Sequence, residues 1–395
     1  MFLISSEKRD QEYIKKKNQM LILEMIRKHR PISRAELAKR TQLSATSAGR
    51  IVGELMDIGL VKETDQTSSG VGRKATLLDI DPQSILSVGV EVDRNVVLAG
   101  LIDLDGKVVA ERHQSIDRPS AQPEAVAVLI AGMVAQLAEA QGMPPSKLIG
   151  VGVGMPGIVD TQGGIVVFSA QLGWRNERFA SLLEEKLGLP VVLDNDLKVK
   201  ALGESSAGSM PDHGKTALIS IGSGLGSALI MEGKIYRGAG NMAGEIGHAT
   251  VDPNGKLCEC GKRGCLQTYI TDVAMLQEAS QIKPVSGVNE LFELMNAGEA
   301  WAFNIIDRAC TYAAIAVNSV VCSYNPDSII LTGDFIDTNP GAFETVLGKV
   351  RDFIGEPFAG TFELKRSELG GKSVMIGAAK LVLQQRLDRG LHENR

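Results

Sequence analysis

The chain has 395 residues, of which 44% are hydrophobic, 23% charged and only 4% aromatic, and it contains 43 glycines. This length predicts two or three domains with sizeable cores. No run approaches the ~18 apolar residues that a membrane-spanning helix needs. The apolar start Met1–Ile4 is too short for the core of a signal peptide. We therefore expect a soluble protein without membrane partners.

Charge is unevenly distributed along the chain. Residues 1–80 carry 15 Lys and Arg against 10 Asp and Glu, whereas the remainder carries 27 against 37. A basic head on an acidic body is typical of a DNA-facing module joined to a soluble domain. The alternative is a chance fluctuation of solvated surface charge that has no function.

The first 80 residues carry the pattern of a small helical domain. Residues 1–17 are polar and end in three lysines, which predicts a partly ordered arm. An apolar helical pattern over residues 20–26 ends before Pro31. Ser33–Glu36 is a capping box that begins a second helix, and Ser44 caps a third. Residues 60–63 and 75–80 then predict a β-hairpin.

Three helices and a hairpin predict a winged helix-turn-helix domain over residues 18–80. Its third helix would enter the major groove of DNA, and the glycine-rich hairpin tip would contact phosphates or a narrow minor groove. The predicted DNA contacts are Ser44, Thr46, Ser47, Arg50, Arg73 and Lys74. A helical docking domain that does not bind DNA is the alternative.

The rest of the chain alternates predicted strands and helices. We place a first α/β lobe at residues 81–208 and a second at 209–395, with a final helix that can pack on the first lobe. Three strands joined by tight connections open the first lobe, and a second set of strands begins at Thr216. Periodicity alone predicts an α/β body with two lobes.

One imidazole and three thiols lie within 18 positions, with the spacing H-x9-C-x-C-x4-C. Imidazole and thiolate are the preferred ligands of tetrahedral Zn²⁺, and four of them close a structural site. The predicted ligands are His248, Cys258, Cys260 and Cys265. Buried free cysteines are the alternative. Cysteines used as metal ligands rather than in disulfides indicate a reducing, cytoplasmic location.

The segment G-E-I-G-H followed by C-x-C-G-x-x-G-C-L resembles the signature of the ROK family, which comprises repressors and kinases acting on sugars. The resemblance implies a two-lobed actin-like, sugar-kinase (ribonuclease H-like) body with a zinc loop that supports a sugar site. Matching positions imply sugar contacts from Asn195, Asp196, Glu245, His248 and Gln267. Two positions depart from the pattern of the kinases: Lys198 replaces an Asn, and Gln267 replaces a Glu.

The same resemblance indicates that the chain lacks a working ATP site. The first phosphate loop of the family reads D-x-G-G-T, but the corresponding residues here are Glu91–Asn95, without its glycines and threonine. The second glycine segment, Gly222–Gly226, is kept. The later G-G-G turn is replaced by Thr332–Asp334. Phosphoryl transfer needs backbone amides close to the phosphates, so we expect no catalytic residues and no kinase activity.

The sequence therefore predicts a bacterial sugar-responsive transcription repressor. Free sugar would bind in the cleft between the lobes and change the affinity for operator DNA, and the protein would act as a homodimer or higher homo-oligomer. One alternative is an ATP-dependent sugar kinase that carries a DNA-binding domain. Another is a repressor controlled by a protein partner instead of a sugar.

Overall fold

The computed structural model describes residues 3–64, 76–117, 121–144, 147–207 and 214–389. Three regions follow one another along the chain: a helical head, a first lobe and a second lobe. The fold class expected from the sequence is confirmed, since an α/β body of two lobes follows a winged helix-turn-helix head.

The head consists of three helices and a small antiparallel sheet with the strand order β1-β3-β2. Its elements are α1 (Leu3–His29), β1 (Ile32–Ser33), α2 (Arg34–Thr41), α3 (Ala45–Asp57), β2 (Val61–Thr64) and β3 (Leu77–Ile80). Leu37, Ile51, Leu55 and Leu78 are fully buried in its core. Residues 3–17, for which we expected a separate arm, instead form the first half of α1, because this polar stretch contains neither Gly nor Pro to stop a helix.

Both predicted caps in the head are present. The Ser33 side chain accepts a hydrogen bond from the Glu36 amide at 3.2 Å, and the Ser44 hydroxyl accepts one from the Ser47 amide at 3.1 Å. These bonds satisfy amides that the first helical turn leaves unpaired. Gly59 follows α3 with a φ of 77°, a left-handed conformation that turns the chain into β2.

The first lobe is built on a five-stranded sheet with the order β11-β7-β4-β5-β6. Its strands are β4 (Leu86–Val92), β5 (Val96–Ile102), β6 (Val108–Ser115), β7 (Leu148–Met155) and β11 (Val191–Asn195). A second sheet contains β8 (Ile158–Asp160), β9 (Ile165–Ser169) and β10 (Trp174–Glu177), and the helices are α4 (Pro123–Ala140), α5 (Phe179–Leu187) and α6 (Asp196–Ala207).

The second lobe repeats the sheet topology of the first. Its sheet has the order β14-β13-β12-β15-β16, and in each lobe three strands are antiparallel while two further strands run parallel to the first of them. The strands are β12 (Lys215–Ile221), β13 (Leu225–Met231), β14 (Lys234–Ile235), β15 (Ser328–Thr332) and β16 (Glu363–Arg366). The helices are α7 (Gln267–Ile270), α8 (Asp272–Ala279), α9 (Val288–Asn296), α10 (Ala300–Tyr324), α11 (Asp334–Asp337), α12 (Pro340–Phe353) and α13 (Ser373–Arg389).

Helices α6 and α13 join the two lobes. The α13 backbone lies directly on the first-lobe sheet: a Cβ on Gly152 of β7 would lie 1.9 Å from the Ala378 carbonyl oxygen. The two helices also cross closely, since a Cβ on Gly377 would lie 1.7 Å from the Val199 oxygen. Leu202 of α6 and Val382 of α13 share one buried cluster with Leu218 of the second sheet. Burial of this cluster holds the two lobes together.

The head also contacts the body. Leu104 from the turn after β5 is part of the head's buried cluster, and Leu383 of α13 packs against it. Arg30, directly after α1, pairs with Asp105 of that turn and lies 3.8 Å from Asp79 of β3. The head is therefore packed against the body and is not joined to it by a free linker alone.

Two helices, α4 and α10, are long and apolar enough to cross a membrane by length and composition. Both are core helices in this fold. Ile130 and Val134 of α4 are buried in the first lobe, and Ala313 and Val317 of α10 are buried in the second. Their hydropathy is explained by this packing, so it is weak evidence for a membrane span.

Candidate functional site

The four predicted zinc ligands lie together in the second lobe. One ligand atom from each of His248, Cys258, Cys260 and Cys265 lies within 4.8 Å of all the others. The Cys260 and Cys265 sulfurs are 3.6 Å apart, and His248 Nδ1 is 3.8 Å from the Cys258 sulfur. A Zn–S bond of about 2.3 Å in a tetrahedron implies sulfur–sulfur edges of about 3.8 Å. The donor set and its spacing therefore fit a structural zinc ion.

The backbone around this cluster is so close at Gly264 that no residue with a side chain fits there. Gly264 has a φ of 69°, and a Cβ there would lie 1.5 Å from the Asp252 carbonyl oxygen. Gln267, predicted to contact sugar, lies against the cluster: its amide nitrogen is 3.3 Å from the Cys258 sulfur and donates to Glu259 at 3.1 Å. Its contacts are thus those of a residue that supports the cysteines.

On the first lobe, the predicted sugar residues lie at the carboxyl end of β11. Asn195 donates through Nδ2 to the Gly157 oxygen at 3.2 Å and to Asp196 Oδ1 at 2.8 Å. Burial raises the pKa of Asp196 to about 6, an effect that the Leu197 amide opposes and the neighbouring Asp93 carboxylate reinforces. Polar groups at this end of a sheet lie where ligands collect in α/β folds.

On the second lobe, Glu245 and His248 are both exposed on the short segment that follows Gly244. His248 directs Nδ1 toward Cys258, which leaves Nε2 free to face a ligand. Lys198 interacts with carboxylates of both lobes. It is 3% exposed, and its charge interacts with those of Asp194 and Asp196 in the first lobe and Glu245 in the second. Burial lowers the pKa of Lys198, while these carboxylates oppose the change.

Sequence reasoning missed three residues that bridge the lobes at this site: Asp194, Arg237 and Asn241. Asp194 is fully buried and forms an ion pair with Arg237 at 2.6 Å. Asn241 donates to Asp194 at 3.2 Å. A carboxylate within the apolar run of β11 was the one available signal, because such a group needs a buried partner.

The loop at the position of the first phosphate segment carries carboxylates. The Glu91 carboxylate interacts with those of Asp93 and Asp196. Burial, and then the Asp93 charge, raises the pKa of Glu91 to about 7, while the Lys200 charge opposes this shift. The Asp93 amide donates to the Val96 oxygen at 2.9 Å, which closes a tight turn between β4 and β5. Its backbone amide is therefore engaged within the turn.

The retained glycine segment also faces acidic side chains. The Asp272 amide donates to the Gly222 oxygen at 2.9 Å, and a Cβ on Gly222 would lie 3.5 Å from the Asp334 amide nitrogen. Burial and then the Asp334 charge raise the pKa of Asp272 to about 6. A cavity of about 600 Å³ adjoins these residues, with Asp272, Glu290 and Asp334 in its lining.

The predicted DNA-contacting residues of α3 lie at and after its N-terminus. Ser44, Thr46 and Arg50 are exposed and Ser47 is half-buried. Arg50 pairs with Glu54 on its own helix at 2.6 Å. Glu54 also accepts a hydrogen bond from Gln19 of α1 at 2.6 Å. The other two predicted contacts, Arg73 and Lys74, lie outside the described residues.

Comparisons with known proteins agree with this architecture. The family model described as ROK family matches residues 87–385, and a model of winged helix-turn-helix DNA-binding domains matches residues 15–62. The xylose repressor of Bacillus spizizenii is 29% identical over 96% of this chain and 98% of its own length. The DNA-binding transcriptional dual regulator NagC of Escherichia coli is 27% identical over 95% of both chains.

Solved structures show the same body with and without a head. A ROK family transcriptional regulator described as a homologue of the E. coli MLC protein superposes with a TM-score of 0.83 at 25% identity, over 96% of this chain and 98% of its own. A ROK family glucokinase from Streptomyces griseus, in complex with glucose and AMPPNP, covers 76% of this chain and 99% of its own, with a TM-score of 0.64 at 27% identity. The resemblance expected from the sequence is confirmed: the chain belongs to the ROK family.

Proposed function

We propose that this protein is a sugar-responsive transcription repressor of carbohydrate genes. The observation that carries the proposal is the combination, in one chain, of a head with an exposed third helix and a cleft with sugar-type polar groups from both lobes. The relatives named as xylose and N-acetylglucosamine repressors match almost the entire chain. Operator DNA and a free sugar would be its two ligands.

The cleft supports sugar binding rather than phosphoryl transfer. Asn195, Asp196, Glu245 and His248 supply the paired donors and acceptors that a polyol needs. Both segments where ATP phosphates would lie face carboxylates, Glu91 and Asp93 in one lobe and Asp272 and Asp334 in the other. Such charges repel phosphates. We therefore infer that Asp196 accepts a hydrogen bond from a sugar hydroxyl instead of serving as a catalytic base.

A structural zinc ion is part of the proposal. His248, Cys258, Cys260 and Cys265 would hold it, and it would fix the fold of the loop that carries Glu245 and His248. The two sugar ligands of the second lobe would then be held on a rigid support. The protein would act in the reducing cytoplasm, where cysteine ligands stay reduced.

The DNA contact would involve a homodimer. Ser44, Thr46, Ser47 and Arg50 would face the major groove, and Arg73 and Lys74 would contact the backbone or the minor groove. One small winged domain buries limited surface on DNA, whereas two heads on a two-fold operator double the contact.

Two assays on purified zinc-loaded protein test the proposal. The first measures the melting temperature with D-xylose, N-acetyl-D-glucosamine and D-glucose, since a ligand that binds the folded state raises it by mass action. The second couples ADP release to each sugar in the presence of Mg²⁺-ATP. We expect at least one sugar to raise the melting temperature without phosphorylation. Turnover at an ordinary kinase rate, about 1–100 s⁻¹, would contradict the proposal.

A further inference from the structure

One segment of the second lobe reaches across the cleft to the first. Residues 237–244, here called the strap, follow β14 and lead directly into Glu245. The strap is closed on itself by a 3.0 Å hydrogen bond from the Ala243 amide to the Arg237 oxygen. Its end is fixed to β13, because the Ser227 amide donates to the Gly244 oxygen at 2.7 Å. The strap is therefore a preformed loop of the second lobe.

Four polar contacts join the strap to the first lobe. Arg237 pairs with Asp194 at 2.6 Å. The Asn241 side-chain amide donates to the Val159 oxygen of β8 at 3.0 Å and to Asp194 at 3.2 Å. Lys198 of α6 donates through Nζ to the Asn241 backbone oxygen at 2.9 Å. Each lobe thus supplies both donors and acceptors to the same contact.

Two of the three charges in this contact are buried, so the geometry of the contact is strongly specified. Asp194 is 0% exposed and Lys198 is 3% exposed. A buried charge is tolerated only when partners replace its lost hydration, and removal of one partner leaves an uncompensated charge. The Lys198 charge also interacts with Glu245 and Asp196, the carboxylates that the two lobes present to the cleft.

We propose that Asp194, Lys198, Arg237 and Asn241 form an interlobe clasp that positions Glu245 and His248 against Asn195 and Asp196. This inference rests on the proposed sugar site and deepens it. The four are positioning residues: the clasp sets the distance between the two halves of the sugar site. A sugar would bind tightly because both halves are held in register before it arrives.

Asn241→Gly is the variant that tests the clasp most cleanly. Asn241 has a φ of 60°, which glycine adopts without strain, and the backbone oxygen that Lys198 contacts is kept. The variant loses the two side-chain hydrogen bonds to the first lobe, and also the 3.1 Å hydrogen bond that the Arg237 guanidinium donates to Asn241 Oδ1 within the strap. Asn325→Gly is the matched control, because Asn325 is also left-handed, with a φ of 42°, and its side chain is exposed.

The first readout is hydrogen–deuterium exchange of the sugar-free protein at residues 157–161 and 191–198. These segments belong to the first lobe, so added flexibility of the strap itself does not change them. We expect Asn241→Gly to increase their exchange by about fivefold or more through local opening, and Asn325→Gly to leave it unchanged. Equal exchange in Asn241→Gly and wild type would overturn the clasp, whether or not a sugar binds.

The second readout is the Kd of the sugar that stabilises the wild type most among D-xylose, N-acetyl-D-glucosamine and D-glucose. We expect about tenfold weaker binding by Asn241→Gly, as for the loss of a hydrogen bond to a charged acceptor. Zinc content and sugar-free melting temperature should match the control. A Kd within twofold of wild type would overturn the positioning role. If no sugar binds the wild type, the proposed function fails and the exchange result alone decides the clasp.

Rescue separates positioning from simple destabilisation. Asp194→Asn alone leaves buried Lys198 and half-buried Arg237 with one carboxylate fewer, so we expect it to weaken folding as well as sugar binding. The double variant Asp194→Asn, Arg237→Gln removes the paired charges together, and we expect it to bind sugar more tightly than the single variant. A double variant no better than the single one would overturn the ion pair's part in the clasp.

Discussion

At the residue scale, the His/Cys cluster shows how far spacing alone can determine which side chains meet. Its four residues were predicted as metal ligands from H-x9-C-x-C-x4-C, and their donor atoms lie within 4.8 Å of one another. Local spacing suffices here because tight turns bring the thiols of one short loop together. Glycine at position 264 is required for such a turn, since any side chain there would overlap the Asp252 oxygen.

Cys260→Ser tests the zinc loop. We expect the variant to lose stoichiometric zinc, because a neutral hydroxyl is a poor fourth ligand, and to bind sugar at least about tenfold more weakly since Glu245 and His248 lose their support. Elemental analysis and sugar titration measure the two effects. Cys322→Ser is the control, as Cys322 is exposed on α10. A Cys260→Ser protein that keeps one zinc per chain would contradict the assignment.

Glu91→Gln tests the acidic first loop through pH dependence. The pKa of Glu91 is raised from 4.5 to about 7, so the folded state holds this proton more tightly than the unfolded state. Ionised Glu91 therefore lowers the free energy of unfolding as pH rises from about 4.5 to 7. We expect Glu91→Gln to be about 1–3 kcal/mol more stable than wild type at pH 8, with the gain fading toward pH 5.

Denaturant unfolding at pH 5, 6, 7 and 8 measures this gain, with zinc present throughout. The exposed Glu139→Gln change on α4 is the control, for which we expect no pH-dependent difference. A gain that is constant across this pH range, or a loss at pH 8, would show that Glu91 is not held in an unfavourable buried position.

The clasp residues mark the limit of sequence reasoning at this scale. Asn195 and Asp196 matched a family pattern, but Asp194 did not, and Arg237 and Asn241 lie more than 40 positions later. Their ion pair and hydrogen bond form only because β11 and the strap come from different lobes. Nothing in either segment alone indicates which residue of the other it meets.

At the element scale, caps and apolar periodicity located the three helices and the hairpin of the head. Ser33 and Ser44 begin α2 and α3 as predicted, because each side chain accepts a hydrogen bond from an amide of the first turn. The two-residue strand β1 was missed, since its pairing with β3 is set by the tertiary fold. The extent of α1 was also missed, because polar composition was interpreted as an arm although every residue tolerates a helix.

Arg50→Ala tests the role of α3. We expect about tenfold weaker binding to an operator selected from random DNA by the wild type, and a relaxed preference at one base pair, because base contacts by arginine contribute about 1–3 kcal/mol. Gel shifts at fixed salt measure both. Arg351→Ala on α12 is the control. The result that would contradict this role is a double variant, Arg50→Ala with Arg73→Ala, that binds operator as well as wild type.

At the scale of the whole molecule, the head and the cleft are physically connected. Asp196 begins α6, α6 packs against α13 between the lobes, and Leu383 near the end of α13 packs against the head's core. Arg30 pairs the head with the turn between β5 and β6. The two lobes and their topology followed from sequence pattern and resemblance. The contacts between head and body could not be predicted from the sequence, because they depend on how the folded domains pack against each other.

We expect one sugar bound in the cleft to change operator affinity. Binding shifts an equilibrium only by its differential affinity for two states, and a typical coupling is about 1–3 kcal/mol, or roughly 5–150-fold. Reciprocity then requires operator DNA to change the sugar's affinity by the same factor. A dimer whose head spacing differs between the sugar-bound and the sugar-free protein would provide the two states.

The most direct measurement is operator affinity with and without saturating sugar, for wild type and Asp196→Ala. We predict a change of roughly 5–150-fold for wild type and none for Asp196→Ala, with sugar-free operator binding alike in the two proteins. The same factor should appear when sugar affinity is measured with and without operator. An Asp196→Ala protein that still responds to the sugar like wild type would contradict the account.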